Sequence, residues 1–223
     1  MINNLPIAVI ITTFNSERFI NDAIQSVMRQ SILPEEIIVI DNGSSDTTES
    51  IVKGLGISFQ VQTTGQVGAS RNLGIKLTKS PFIKFLDADD LLEINALELL
   101  YNASLASSSD FIYGKIINFV DPIIDNSKLN SKRFIHTQSP LYSMVILSSL
   151  VAREVFTQYG LPESDNQSWN RWYIVARSKR MAISRIDAII GKRRIHDSNI
   201  SHDKTAKSEL FNWIALKMKS EDA

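Results

Sequence analysis

FIKFLDADD, residues 82–90, is the segment that decides how this chain folds. The apolar run Phe82–Leu86 has the length of a strand, and three carboxylates follow it within four positions, at Asp87, Asp89 and Asp90. Like charges this close raise one another's pKa, so the cluster is costly unless a cation shares it. A divalent cation on phosphate oxygens offsets that cost. The segment therefore predicts a strand whose carboxyl end holds a metal and a diphosphate.

The residues before this segment alternate between two kinds of pattern. Apolar, β-branched runs predict buried strands at Ile7–Ile11 and Glu36–Ile40. Ile57–Val61 is predicted as a third strand. Helical spacing and capping residues predict helices at residues 16–31, 46–54 and 70–78. Strands that alternate with helices favour the α/β class: a single domain with a mostly parallel central sheet flanked by helices on both faces.

Polar side chains follow three of the predicted strands. They are Thr12, Thr13, Asn15, Asp41, Asp87 and Asp89. In open α/β sheets, ligands bind at the carboxyl ends of the strands. We therefore expect these groups to meet at one edge of the sheet.

The second half of the chain has a less regular pattern. It predicts a helix at residues 94–105, a strand at 111–120, a polar loop or weak hairpin at 121–139, a strand running into a short helix at 143–159, a strand at 181–190 and a helix from 204. The helical spacing of Trp169 and Trp172 favours core packing over a sugar platform. Lys192–Arg194 is interpreted as a solvated turn, with phosphate contact left open as the alternative. We expect one domain over residues 1–223, with a nucleotide-binding half (1–100), an acceptor-side half (101–203) and a C-terminal helix (204–223).

Composition excludes several classes of protein. The chain is 43% hydrophobic and 22% charged, as expected for a soluble globular protein. Its 24 Lys and Arg equal its 24 Asp and Glu, so a basic nucleic-acid-binding face is not expected. With no Cys, disulfides and thiolate metal sites are excluded. No secretory signal or apolar run of about 20 residues is found, so we expect a cytoplasmic protein, with peripheral contact at the inner face of the membrane left open.

Four segments, in this order, resemble family 2 glycosyltransferases of the A-type, nucleotide-diphospho-sugar transferase fold. They are VIITTFNSERFINDAIQSVMRQ, EEIIVIDNGSSDTT, GQVGASRNLGIKLTKS and FIKFLDADD. The resemblance covers Ile7 to Leu100 well and continues more weakly to about Ser201. It implies transfer of a sugar from a nucleotide-diphospho-sugar donor to a hydroxyl acceptor (a glycan, a lipid-linked sugar or another alcohol), as in polysaccharide biosynthesis.

The resemblance also implies donor-binding roles. Thr13 and Phe14 would line the base pocket, Asp41 would accept a hydrogen bond from the base, and Arg71 would lie near the nucleotide or diphosphate. A carboxylate can accept a hydrogen bond from a ring N–H, and a planar guanidinium can donate two hydrogen bonds to one phosphate group. Two alternatives stay open: Asp41 as the side chain that forms the DNGS turn, and Arg71 as a surface charge on its helix.

A metal site is implied at the same edge, for Mn²⁺ or Mg²⁺. Asp87 and Asp89 would bind the ribose and the metal, with Asp89 the more direct ligand. His196, in RRIHDSNIS, would complete the metal or diphosphate site. The alternatives are that the carboxylates form a solvated cluster or cap the next helix, and that His196 is structural.

The catalytic base is where the chain departs from the family. Family members carry a Glu-Asp pair at the start of a late helix, and one of its carboxylates deprotonates the acceptor. In this chain the corresponding segment reads GLPESDNQSWNRWYIVAR. Alignment on its helix puts Gln167/Ser168 or Ser168/Trp169 at the pair, and neither choice supplies a carboxylate.

The nearest substitutes are Asp165, which is the candidate catalytic residue, and Glu163. A positioned base contributes about 10²–10⁴ in rate. Two hypotheses follow. The chain is a metal-dependent, inverting transferase whose base is Asp165, or it is a homologue that binds a nucleotide sugar with little or no turnover.

Overall fold

The computed structural model describes residues 4–122, 140–142, 145–161, 169, 172 and 181–196. Its strands are β1 Leu5–Thr13, β2 Pro34–Asp41, β3 Ser58–Val61, β4 Phe82–Asp87, β5 Leu91–Leu92, β6 Phe111–Val120, β7 Leu141–Tyr142, β8 Ser149–Ala152 and β9 Ile183–Ile195. Its helices are α1 Ile20–Met28, α2 Thr48–Gly54, α3 Val67–Leu77, α4 Ala96–Ser107 and α5 Arg153–Tyr159, with a 3-10 turn at Ile146–Ser148.

One sheet joins all of these strands, in the order β3-β2-β1-β4-β8-β6-β9-β5, with β7 paired to β6. The strands of the first half pair in parallel, β1 with both β2 and β4, and β2 with β3. In the second half, β8 is antiparallel to β4 and β6, whereas β9 is parallel to β6. The predicted α/β class is confirmed, and the sheet is parallel in its first half and mixed in its second.

Two cores cover the two faces of this sheet. Side chains of β1 alternate between them: Ile7, Val9 and Ile11 pack in the core of α1 and α4, and Ala8 and Ile10 pack in the core of α3 and α5. Burial on both faces explains why β1 is a continuous apolar run rather than an alternating one. The helices on both faces agree with the sequence prediction.

The core beside α3 and α5 also contains both tryptophans. Trp172 is fully buried and stacks on Phe156 with ring centroids 4.7 Å apart. Trp169 is buried against Phe111, with ring centroids 6.0 Å apart. Both tryptophans therefore pack in the core, as their helical spacing predicted.

A glycine sets how closely α3 lies on the sheet. A Cβ on Gly74 would collide with Cγ2 of the fully buried Ile10 on β1. Because β-branched Ile10 is stiff, only glycine permits this approach. Gly74 lies one helical turn after Arg71 in α3. The close packing of Gly74 against Ile10 therefore also fixes the position of the Arg71 backbone relative to the sheet.

Several element boundaries differ from prediction. Strand β5 was not predicted, because two residues give no periodicity; it forms by pairing with β9. The N-cap of α4 is Asn95, so Asp89 and Asp90 do not cap it. Strand β9 runs to Ile195, so the predicted solvated turn at Lys192–Arg194 is wrong: that segment pairs with β6 through the register Asn118↔Arg193 and Phe119↔Arg194.

The predicted features at 123–139, 143–144 and 204–223 lie outside the described residues. None of the helices in the described ranges has both the length and the apolar character needed to cross a bilayer.

Candidate functional site at the carboxyl edge of the sheet

Strand register brings the polar strand ends together. Thr13 at the end of β1 is in register with Asp41 of β2, and Thr12 is in register with Asp87 of β4. Neighbouring strands lie about 4.8 Å apart, so the two aspartates flank β1 at a separation of about 10 Å. The predicted convergence of strand ends is confirmed for these four residues.

The buried carboxylate of Asp41 organises the turn that follows it. Its Oδ2 accepts hydrogen bonds from the backbone N–H of Gly43 and Ser44, at 3.2 and 2.8 Å, and its Oδ1 accepts one from the Ser44 hydroxyl. This is the turn-forming role that the sequence left open. A carboxylate oxygen has two lone pairs, so Oδ1 can accept a further hydrogen bond, and base recognition by Asp41 stays a prediction.

Two unpaired oxygens lie beside this turn. Within the described residues, Thr13 Oγ1 and Asn42 Oδ1 are buried and have no hydrogen-bond partner. The two residues are in contact, because the Asn42 backbone N–H donates to the Thr13 carbonyl at 2.8 Å. Phe14, the next residue along, is 55% exposed. Buried polar atoms are normally paired, so these oxygens are suited to a ligand that brings a donor group. Asn42 was missed by sequence reasoning, which treated it only as a turn residue.

The loops after β1 and β2 are tied together by reciprocal hydrogen bonds. The Asn15 backbone N–H donates to Ser44 Oγ, and Asn15 Oδ1 accepts from the Ser45 N–H, both at 2.8 Å. Glu17 Oε2 accepts from the backbone N–H and the hydroxyl of Thr47, at 3.0 and 2.7 Å. This network holds the turn of Asp41 against the end of β1. No sequence pattern predicted it, because each partner is an ordinary polar loop residue.

Arg71 reaches the site from α3. Its side chain is only 6% exposed, so the alternative of a surface charge is wrong. A terminal nitrogen donates to Asp87 Oδ1 at 3.1 Å, and the Thr12 hydroxyl donates to the same oxygen at 3.3 Å. Asp87 Oδ1 is thus occupied by protein donors, while 42% of the Asp87 side chain stays exposed.

Asp89 and His196 form the second contact of the site. His196 Nε2 lies 2.9 Å from Asp89 Oδ2, and the two side chains are 5% and 28% exposed. The His196 ring also packs on Phe19, with ring centroids 4.5 Å apart. A carboxylate oxygen and an imidazole nitrogen therefore face each other at the end of β9.

Asp90, the third carboxylate of the motif, is of a different kind. It is buried, and its Oδ1 accepts a hydrogen bond from the Arg194 backbone N–H at 3.0 Å. Burial raises the pKa of Asp90 well above its usual range, and the charges of Asp89 and Asp87 raise it further. Asp90 therefore serves as a structural group that anchors the turn to β9.

The donor set limits what kind of metal site this edge can form. No group of three or more acidic, His or Cys side chains suited to a metal is found in the described ranges. Asp89 and His196 offer one oxygen and one nitrogen ligand at short range. Mg²⁺ and similar ions are usually held by one or two carboxylates and complete their shell with substrate phosphates and water. The residues therefore fit a cation that arrives with a diphosphate, rather than a cage made by the protein alone.

The candidate catalytic base Asp165 lies outside the described residues, as do Glu163, Gln167 and Ser168. Trp169 and Trp172 are buried on one helical face.

Comparison with known proteins gives consistent matches. The family model described as Glycosyl transferase family 2 matches residues 8–160. The UDP-Glc:alpha-D-GlcNAc-diphosphoundecaprenol beta-1,3-glucosyltransferase WfgD of Escherichia coli is 26% identical over 213 residues, which cover 89% of this chain and 80% of that protein.

Two solved structures extend the comparison. Staphylococcus aureus TarS 1-349 in complex with UDP-GlcNAc matches with a TM-score of 0.68 and 22% identity over 89% of this chain and 61% of that one. Glucosyl-3-phosphoglycerate synthase of Mycobacterium tuberculosis in complex with Mn²⁺, UDP and phosphoglyceric acid matches with a TM-score of 0.61 and 17% identity, over 86% and 71%. At these identities the structures establish the fold. Other curated relatives are much longer, and the chain spans 36% of one and 40% of another.

Proposed function

The chain belongs to glycosyl transferase family 2, and we propose that it transfers a sugar from a nucleotide-diphospho-sugar to a hydroxyl acceptor, with a divalent metal on the diphosphate and inversion at the anomeric carbon. The expectation of a transferase is confirmed by the family match and the named relative. The observation that carries the finer proposal is the contact between Asp89 and His196. It lies at the edge of the sheet where β2 and β4 end, in Asp41 and Asp87.

A uridine diphosphate sugar is the proposed donor. Thr13 Oγ1 and Asn42 Oδ1 are buried and unpaired among the described residues, and both can accept from a ring N–H. The exposed ring of Phe14 offers an apolar face against which a base can pack. The TarS structure that matches this fold carries UDP-GlcNAc, which makes that compound the first donor to test.

Asp89 and His196 would hold a divalent cation. When bound, such a cation neutralises charge on the departing diphosphate. Arg71 adds a buried positive charge nearby, and its contact with Asp87 Oδ1 fixes the direction of both side chains. The matching fold that carries Mn²⁺ together with UDP supports Mn²⁺ as the first metal to test.

Asp165 is the proposed general base that takes the proton from the acceptor hydroxyl. The bond between the anomeric carbon and the diphosphate breaks, the acceptor oxygen bonds to that carbon from the opposite face, and the acceptor proton passes to the carboxylate of Asp165. WfgD acts on a diphosphoundecaprenol-linked GlcNAc, so a lipid-linked or glycan acceptor is proposed here. We propose further that the reaction takes place in the cytoplasm, at the inner face of the membrane.

The test is an assay of UDP-Glc, UDP-GlcNAc and UDP-Gal with Mn²⁺, measuring release of UDP with and without a lipid-linked acceptor. We expect one donor to be turned over only when metal is present. We expect Asp165→Asn to lower the rate about 10²–10⁴-fold while UDP binding stays unchanged. Glu163→Gln is the matched control, since it removes the neighbouring carboxylate and leaves Asp165.

A second candidate function is binding of a nucleotide sugar without turnover. It is favoured by the Gln167/Ser168 or Ser168/Trp169 positions, which lack the carboxylates of the family's usual pair. In that case calorimetry gives UDP and Mn²⁺ binding, while every donor is recovered intact and Asp165→Asn changes nothing.

A further inference from the structure

We infer that Arg194 is a positioning residue: it fixes the Asp89–Asp90 turn and thereby aligns the Asp89 carboxylate with His196. The inference rests on the proposed function, because the Asp89–His196 pair matters here as a site for a cation bound to a diphosphate. The basic run Lys192–Arg194 predicted a solvated turn, so nothing in the motif pattern pointed to this role.

Arg194 holds the turn through two different groups. Its backbone N–H donates to Asp90 Oδ1 at 3.0 Å, and its side-chain Nε donates to the Asp89 carbonyl at 3.1 Å. One residue of β9 thus contacts two consecutive residues of the acidic motif. Because the first contact is made by the backbone, substitution of the side chain leaves that contact in place and removes the second.

The guanidinium that makes the second contact is itself held rigidly. The side chain is 7% exposed, and a terminal nitrogen donates to Asp22 Oδ2 on α1 at 3.0 Å. The Cζ atom of Arg194 lies 5.1 Å from the centroid of the Phe19 ring and 4.8 Å from the centroid of the Phe119 ring. A planar guanidinium between two rings keeps its N–H groups in a fixed direction, which an ammonium on a flexible stem does not.

The same packing extends to His196. Phe19 contacts both the Arg194 guanidinium and, with ring centroids 4.5 Å apart, the His196 ring. Residues two apart on an extended chain face the same side, so Arg194 and His196 approach the acidic motif together. Arg194 holds the backbone of Asp89, and His196 meets its carboxylate 2.9 Å away.

The contacts predict a change in metal binding rather than only in stability. Groups that orient metal ligands typically change metal affinity by about 10–100-fold when removed. Without the Nε contact, the turn loses a hydrogen bond at the Asp89 carbonyl, and the Asp89 carboxylate spends less time opposite Nε2 of His196. Arg194→Met should therefore weaken Mn²⁺ binding in the presence of UDP by about 10–100-fold, and Arg194→Lys should not restore it.

Arg153 provides the matched control. It is also a partly buried arginine that donates to backbone carbonyls, from Nε to Ser80 at 2.7 Å and from Nη1 to Ile75 at 2.6 Å. These contacts lie at the amino end of β4, away from the acidic motif. Arg153→Met should lower thermal stability while Mn²⁺ affinity with UDP stays within about twofold of the wild type.

The experiment titrates Mn²⁺ into the full chain with saturating UDP, by calorimetry and by electron paramagnetic resonance of free Mn²⁺, for the wild type, R194M, R194K and R153M. Raising Mn²⁺ should recover most of the turnover of R194M, because the metal compensates for lost alignment but not for lost folding. If R194M does not fold, R194K and Asp22→Ala replace it, the latter removing the acceptor that holds the guanidinium to α1.

Folded Arg194 variants that bind Mn²⁺ within twofold of the wild type would overturn the inference and leave the proposed function standing. Equal weakening in R153M would also overturn it, because the effect would then follow from stability alone. A wild type that binds UDP but no Mn²⁺ would instead overturn the proposed metal site, and the role of Arg194 with it.

Discussion

His196 Nε2 lies 2.9 Å from Asp89 Oδ2, although 107 residues separate the two in the chain. The contact depends on the second half of the sheet, where β9 lies parallel to β6 and ends beside the acidic motif. Residues 1–100 therefore do not complete the proposed site alone. His196 would supply a nitrogen ligand to the proposed cation from a distant part of the chain.

Replacement of His196 tests this dependence. His196→Ala should weaken Mn²⁺ binding with UDP at least about tenfold, because one of the two proposed protein ligands is lost. UDP binding without metal should change little, since the proposed base contacts lie at Thr13 and Asn42. Isothermal titration of each ligand gives both values. If His196→Ala binds Mn²⁺ as tightly as the wild type, His196 is not a metal ligand, and its role is to pack against Phe19.

Arg71 gives a second prediction. If its guanidinium faces the diphosphate, Arg71→Lys should weaken UDP binding about tenfold or more, because charged hydrogen bonds contribute about 1.5–3 kcal/mol. Uridine, which has no phosphate, should bind the variant and the wild type alike. Fluorescence or calorimetric titration with both ligands measures the difference. Equal losses for UDP and uridine would mean that Arg71 acts only by holding Asp87.

The close approach of α3 to β1 gives a prediction on stability. Gly74→Ala should lower the free energy of unfolding by about 1–3 kcal/mol, because the new methyl group meets Ile10 in a packed core. Gly54→Ala, in α2, is the matched control, since nothing lies within 4 Å of its added Cβ. That change should stabilise the protein by about 0.5–1 kcal/mol. Denaturant unfolding of both variants measures the effects, and the same sign for both would refute the packing argument.

Lys84 predicts a pH dependence of stability. It is fully buried on β4, and its Nζ donates to the carbonyls of Ile146 and Leu147 at 3.0 and 2.6 Å. Burial lowers the pKa of Lys84 from 10.5 to about 7, against the opposing charges of Asp90 and Asp87. Between these two pKa values the unfolded chain binds more protons than the folded one, so stability contributed by this group rises with pH. Below pH 7 both states are protonated and the contribution is constant.

The variant Lys84→Met removes that titration. The wild type should gain stability relative to the variant between pH 7.5 and 9.5, by up to about 1.4 kcal/mol per pH unit. Urea unfolding at several pH values measures the difference, and Lys53→Met, at an exposed lysine, serves as control. Parallel stability curves for the wild type and Lys84→Met would contradict the lowered pKa.

The first half of the fold was predictable chiefly because β1, β2 and β4 are largely buried and each carries a mostly apolar run, whereas β3 is a short, mostly exposed edge strand. Asp41 and Asp87 follow such runs directly, so their place at the sheet edge could be derived from sequence. The rest of the sheet was harder: β5 has two residues, too few to give a periodic pattern, and it forms by pairing with β9.

The site itself was predictable only in part. His196 came from the resemblance to a family, since no local pattern links it to Asp89. Arg194 was misassigned because a basic run beside a histidine is typical of a solvated turn, and only the pairing of β9 with β6 buries it. The hydrogen bonds between the Asn15 loop and the Ser44 loop join polar residues that are common in any loop. Their spacing in the sequence therefore does not predict these contacts.

The most direct test of the account is a titration of Mn²⁺ into the protein with and without UDP, for the wild type, Asp89→Asn and Asp187→Asn. Asp187 pairs with Lys115 on an exposed part of β9 and controls for the loss of one negative charge. We predict that the wild type binds Mn²⁺ at least about tenfold more tightly when UDP is present, that Asp89→Asn loses this binding, and that Asp187→Asn keeps it. Mn²⁺ binding that is indifferent to UDP, or equal in Asp89→Asn and the wild type, would contradict a cation held between these strand ends and a diphosphate.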